Sequence, residues 1–129
     1  MNVEVLRKTL HESEAGRVTF SQVVGELTHA GVESYFVDLI RGVDTFYMPN
    51  GDIHEEKLTP RLTDVAKDFS NSGIVAAIRA AQADEIRYPE FLKRSVAAGV
   101  IAYWVFIAGK KVIYFGRKGE LHIEEFPRP

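Results

Sequence analysis

Ala30-Gly31-Val32-Glu33-Ser34-Tyr35-Phe36-Val37 and Ala98-Gly99-Val100-Ile101-Ala102-Tyr103-Trp104-Val105 read as one segment written twice. Sliding the chain by 68 positions extends the match outward from this pair, and residues 1–61 align with 69–129 without a gap. Besides the five identities within the segment, Ala15 falls on Ala83, Gly51 on Gly119, His54 on His122 and Glu56 on Glu124, nine in all. Composition alone supplies roughly three or four over such a length. The substitutions say more: Leu6/Ile74, Leu10/Ile78, Phe20/Tyr88, Val23/Phe91, Phe36/Trp104, Phe46/Tyr114 and Leu58/Phe126 each keep an apolar or aromatic group where a core needs one. The chain is therefore read as a tandem duplication.

Each copy reads as helix, helix and three-stranded meander. Val3, Leu6 and Leu10 recur at helical spacing, as do Ile74, Ile78 and Ala81 in the second copy. A second helix starts at Thr19 or Ser21 and again at Tyr88-Pro89, and both stop at Ala-Gly, where a left-handed glycine closes a helix. First strands are expected over Ser34–Ile40 and Ala102–Ala108, with Trp104, Phe106 and Ala108 suggesting that the second is covered on both sides, at the sheet centre or in a subunit contact. Two-residue turns at Asn50-Gly51 and Lys118-Gly119 would set His54 opposite Tyr47 and His122 opposite Phe115. Between the copies, Leu62, Val65 and Phe69 predict a short helix and link. The fold class is α+β, an ααβββ unit used twice about a pseudo-twofold axis. Residues 1–129 are expected to form a single domain, repeats 1–61 and 69–129 sharing one core, because about 60 residues alone make a marginal one.

Composition bounds the chemistry. Without cysteine there is no thiol nucleophile or thiolate metal site. The longest apolar run, Val96 to Ala108, is interrupted by Gly99 and too short to cross a bilayer, and no secretion signal is visible, so a cytoplasmic address and no membrane partner are expected. The net charge of −2 disfavours nucleic acid, yet residues 1–68 balance at −5 and 69–129 at +3, a polarity that lets halves or subunits dock and keeps a homodimer in view. No phosphate loop, nucleophile elbow, zinc-finger spacing or His-Glu-x-x-His helix occurs.

The one repeated polar signature is His-x-Glu, His54 with Glu56 and His122 with Glu124. Residues two apart on a strand share a face, so each copy sets an imidazole beside a carboxylate, suited to acid–base work or, if both third strands lay near the axis, to a metal ion. Cross-strand packing on an aromatic ring is the preferred account of the pairs, and no metal ligands or cofactor are assigned. Tyr35, Tyr103 and Tyr47 are the candidate binding residues, the first two as a repeated tyrosine in an apolar strand face. Lys110-Lys111 and Arg117-Lys118 read as solvated hairpin tips, and Arg79 and Arg87 as helix arginines that could bind an acidic group but are expected to stay in solvent.

Ile86-Arg87-Tyr88-Pro89-Glu90-Phe91, Ala97-Ala98-Gly99-Val100, Tyr114-Phe115-Gly116-Arg117-Lys118-Gly119 and Phe126-Pro127, with Ala30-Gly31-Val32 and Tyr35, resemble a family of small bacterial proteins of unknown function, some labelled phage-envelope-like. The resemblance implies an α+β fold and no functional residues; the envelope label does not suit a chain without signal peptide or membrane span. Function is read as unknown, with a non-enzymatic binding or interaction module preferred, taking a small ligand or protein partner in a groove between the copies. The alternative is an enzyme or metal-binding protein using the His-x-Glu pairs.

Overall fold

Short polar side chains start three of the four helices among the described residues: Asn2 caps α1 (Val3–Glu14), Thr19 caps α2 (Phe20–His29) and Ser70 caps α3 (Asn71–Gln82), each accepting a backbone N–H of the first turn. At α4 (Tyr88–Ala97) Pro89 takes over, preset for the first helical turn. The strands are β1 (Ser34–Asp38), β2 (Val43–Tyr47), β3 (Ile53–Lys57), β4 (Val100–Phe106), β5 (Lys111–Gly116) and β6 (Leu121–Glu125), completing ααβββ twice. The computed structural model describes residues 1–58, 62 and 64–127.

All strands join one antiparallel sheet in the order β3-β2-β1-β4-β5-β6. At its centre Phe36 pairs with Trp104, its own equivalent 68 positions on, while Tyr35 pairs with Val105 and Val37 with Tyr103. The pseudo-twofold axis therefore runs between Phe36 and Trp104, normal to the sheet, and exchanges the flanking pairs. The inner face carries the alternate residues Tyr35, Val37, Tyr103, Val105, Val112 and Tyr114, which join Leu6, Leu27, Ile74 and Phe91 from the four helices in one core cluster drawn from both repeats.

Gly31 and Gly99 follow the Ala30 and Ala98 caps with φ of 88° and 82°, as the helix-end reading required. Other details differ. β1 ends at Asp38 because its carboxylate accepts the N–H groups of Ile40 and Arg41 and bends the chain out of the sheet, while β4 begins two residues before the expected Ala102. Both hairpin loops hold three residues rather than two: Met48 N donates to Asp52 O and Gly116 N to Glu120 O, with Gly51 and Gly119 at positive φ. That single residue shifts the register, so His54 faces Phe46 and His122 faces Tyr114, and Tyr47 turns to the outer face. Residues 64–70 form no helix; the expectation for 59–61 and 63 lies outside the described residues. The second-copy strand is central, as one reading had it, but Trp104 and Phe106 are half-buried on the outer face, where Trp104 packs on Phe36, Tyr47 and Phe106.

Candidate functional site

The His-x-Glu pairs lie on β3 and β6, the two edges of the sheet, five strand spacings or roughly 24 Å apart. Their side chains share the inner face yet cannot converge, and among the described residues no group of three or more His, Cys, Asp or Glu is placed to hold a metal ion. Each pair is tied to the helix above it. His54 Nε2 lies 2.7 Å from Glu56 Oε1, which also accepts from Arg7 Nε of α1 at 3.0 Å. His122 Nε2 lies 3.1 Å from Glu124 Oε1, and Arg79 of α3 donates to Glu124 Oε2 at 2.9 Å. Burial alone would raise both carboxyls, but hydrogen bonds and charge from His54 and Arg7, and from Arg79 and His122, hold them below the ordinary value. The arginines are not equivalent: position 75 is Val75 and position 11 is His11. Both copies thus reach the same edge-strand clamp from different helix positions, and Arg79, although its side chain stays 55% exposed, binds the Glu124 carboxylate.

Between the repeats, on the inner face of the sheet, lies a cavity of about 420 Å³. Its walls come from α1 and α2 of the first copy, α3 and α4 of the second, and strands of both. The pseudo-axis relates its mouth at Phe20, Ser21, Gln82 and Phe126 to Tyr88, Pro89, Glu14 and Leu58, where the space is only about 60 Å³. Size explains the difference: α2 carries Ser21, Val23, Val24 and Gly25 where α4 carries Pro89, Phe91, Leu92 and Lys93. The slimmer helix leaves the volume open.

Tyr35, Tyr88, Tyr103 and Tyr114 line this cavity, and the Tyr103 hydroxyl donates to that of Tyr88 at 2.8 Å. Burial raises the pKa of all four, reinforced at Tyr35, Tyr88 and Tyr103 by Asp44. Asp44 of β2 also lines it, 3% exposed, and its Oδ1 has no hydrogen-bond partner among the described residues. Burial, then the charges of Glu14 and Glu56, push its carboxyl well above the ordinary range.

Of the sequence candidates, Tyr35 and Tyr103 reach this cavity and Glu124 reaches its wall, while His54, Glu56 and His122 remain in the edge clamps. Tyr47 is on the opposite face, stacked on Trp104 with centroids 5.6 Å apart. Asp44 went unrecognised in the sequence, although the repeat flags it: the equivalent residue is Val112, so one copy carries a carboxyl at a core position of the other.

The family model described as "Protein of unknown function (DUF1398)" matches residues 45–125, from β2 through β6. No curated protein matches the chain.

Proposed function

This chain belongs to the DUF1398 family of proteins of unknown function, and we propose that it is a non-enzymatic binding module whose small ligand occupies the cavity between the two repeats. The observation that carries this reading is the buried Asp44 carboxyl in the wall of a 420 Å³ space, its Oδ1 without a hydrogen-bond partner among the described residues. Leaving such a group unsatisfied costs about 1–3 kcal/mol, and a few polar groups in an otherwise apolar cavity of roughly 300–1,000 Å³ is the usual form of a small-molecule site. The separation and arginine engagement of the His-x-Glu pairs support a clamp over acid–base work.

Titration of 4-phenylbutanol followed by amide chemical shifts tests it. Shifts are expected at cavity residues and should disappear in Val23→Phe, which installs the ring that the second copy holds at Phe91. Equal binding by that variant, or shifts clustered elsewhere, would overturn the reading.

A second observation favours self-association, within the cytoplasmic address that forms part of this proposal. The outer face sets Phe36, Trp104, Phe106 and Phe115 side by side, with Ile53, Leu121 and Ile123 each more than half exposed. Its rim carries Glu55 and Lys57 at one edge and Lys111 and Glu125 at the other, a balance that a second copy can complement. Six strands by five residues give roughly 400 Å² before side-chain relief, near the 500 Å² or so per partner that a specific interface needs. Sedimentation should show a dimer that Phe106→Glu with Leu121→Glu converts to monomer; a monomer at all concentrations would refute this face as an interface.

A further inference from the structure

We propose that the cavity between the repeats selects a protonated amine carried on an apolar body, with the Asp44 carboxylate as its counter-ion. This rests on the reading of the cavity as the ligand site and adds the charge of what enters. Among the described residues the charged side chains of the wall are Asp44, Asp84 and Glu124 against one cation, Arg87; Arg87 is engaged by Asp84 and Glu124 by Arg79, which leaves Asp44 as the carboxyl without a cationic partner. Rings of Tyr35, Phe46, Tyr103 and Tyr114 stand around the same volume, with centroid separations of 5.9 Å for Tyr35–Phe46 and 5.5 Å for Tyr103–Tyr114. Aromatic faces attract a cation, most strongly where water is excluded. An ammonium would supply Asp44 Oδ1 with the donor it lacks, and charge-assisted bonds are the stronger class. An anionic head would instead be repelled by Asp44 and find the cation of the wall, Arg87, already paired with Asp84.

Proton balance gives the proposal its signature. Among the described residues, the groups facing Asp44 are Glu14 from α1, Glu56 from β3, Tyr35 from β1, Tyr88 from α4 and Tyr103 from β4; Glu56 is itself held by Arg7 and His54. None of them supplies a positive charge directly to Asp44, so burial and the neighbouring carboxylates favour the protonated carboxyl in the empty cavity. When an ammonium binds, the carboxyl O–H breaks, the proton leaves to solvent and an ammonium N–H···O⁻ hydrogen bond replaces it. Affinity for the amine should therefore rise with pH, by up to about tenfold per unit while Asp44 is protonated in the free protein. A neutral ligand releases no proton and lacks that slope.

Calorimetric titration of the full chain with 4-phenylbutylamine, 4-phenylbutanol and 4-phenylbutyrate, repeated across pH 5–8, provides the test. The amine should bind tightest at pH 7 and the carboxylate weakest. Asp44→Asn should lower amine affinity by about tenfold or more, leave the alcohol within about twofold and abolish the pH slope; Asp44→Val, the residue of the second copy, should do the same. Binding of the alcohol as tight as the amine, or amine binding unchanged in Asp44→Asn, would overturn the charge assignment and leave the cavity reading standing. No binding of any of the three probes would remove both.

Discussion

At residue scale, the exchange of Val112 for Asp44 between equivalent positions places a carboxyl in a wall of hydrocarbon and tyrosine. Because burial raises its folded pKa above the ordinary 3.8, the protonated form is favoured on folding: its contribution is fully present below pH 3.8 and is lost as pH rises toward the folded value. Asp44→Asn should therefore gain stability over wild type as pH increases from 4 to 8, read as urea midpoints. Asp44→Val should gain about 1–3 kcal/mol at pH 7 by removing the unpaired group. Glu56 and Glu124 have the opposite sign. Their lowered values stabilise the fold above the ordinary 4.5 and lose that contribution as pH falls through the folded pKa. Glu56→Gln with Glu124→Gln should flatten the acid limb of the stability profile below pH 4.5 and leave the neutral limb parallel to wild type; an unchanged acid limb would remove the clamp as the cause.

At the scale of elements, the two helix-end glycines separate backbone conformation from packing. Both adopt positive φ, but a Cβ on Gly31 meets nothing within 4 Å, whereas one on Gly99 would run into the backbone of Asp68 and Phe69. The segment before α3 lies over α4, Ala66 N donating to Val96 O and Ser70 N to Ala98 O. Gly31→Ala should cost about 1–2 kcal/mol, the price of a left-handed alanine, while Gly99→Ala should cost roughly 1–3 kcal/mol more from crowding. Equal losses in urea unfolding would mean that the segment moves aside freely. The hairpins show the same coupling of local and distant structure. A three-residue loop in place of two puts Asp44, Phe46, His54 and Glu56 on the helix side and frees Tyr47 to stack on Trp104.

For the whole molecule, the repeats meet through the β1–β4 ladder and through a core whose members come from both. Removing the second copy would leave β1 as a bare edge and uncover Tyr35, Val37 and Leu39. A fragment of residues 1–66 should therefore show no cooperative thermal transition as a monomer, by circular dichroism with sedimentation as the control. A cooperative monomeric melt would mean that each copy has a sufficient core of its own. The duplication also explains how a cavity arises without a special loop. Two similar units packed about an axis place two similar clefts, and smaller side chains on α2 keep one of them open.

The repeat unit, the helix starts at Thr19 and Pro89, the closing glycines and the alternation of Tyr35, Val37 and Leu39 were all legible along the chain, because capping, positive φ and periodic burial depend on neighbours within a few positions. Tyr35 and Tyr103 emerged as binding candidates for the same reason, their recurrence being visible at a fixed offset. Which strands became edges, and so why His54 and His122 stand far apart, depended on β1 pairing with β4 across more than sixty residues. The loop length that reverses Tyr47 turned on Met48 and Gly116 continuing their ladders by one bond each, a choice that sheet packing makes. Asp44 was written beside Val112 in the alignment of the copies, but only the tertiary structure closed helices and tyrosines around it, and that burial, with Glu14 and Glu56 nearby, raises the pKa of an ordinary strand aspartate facing a cavity.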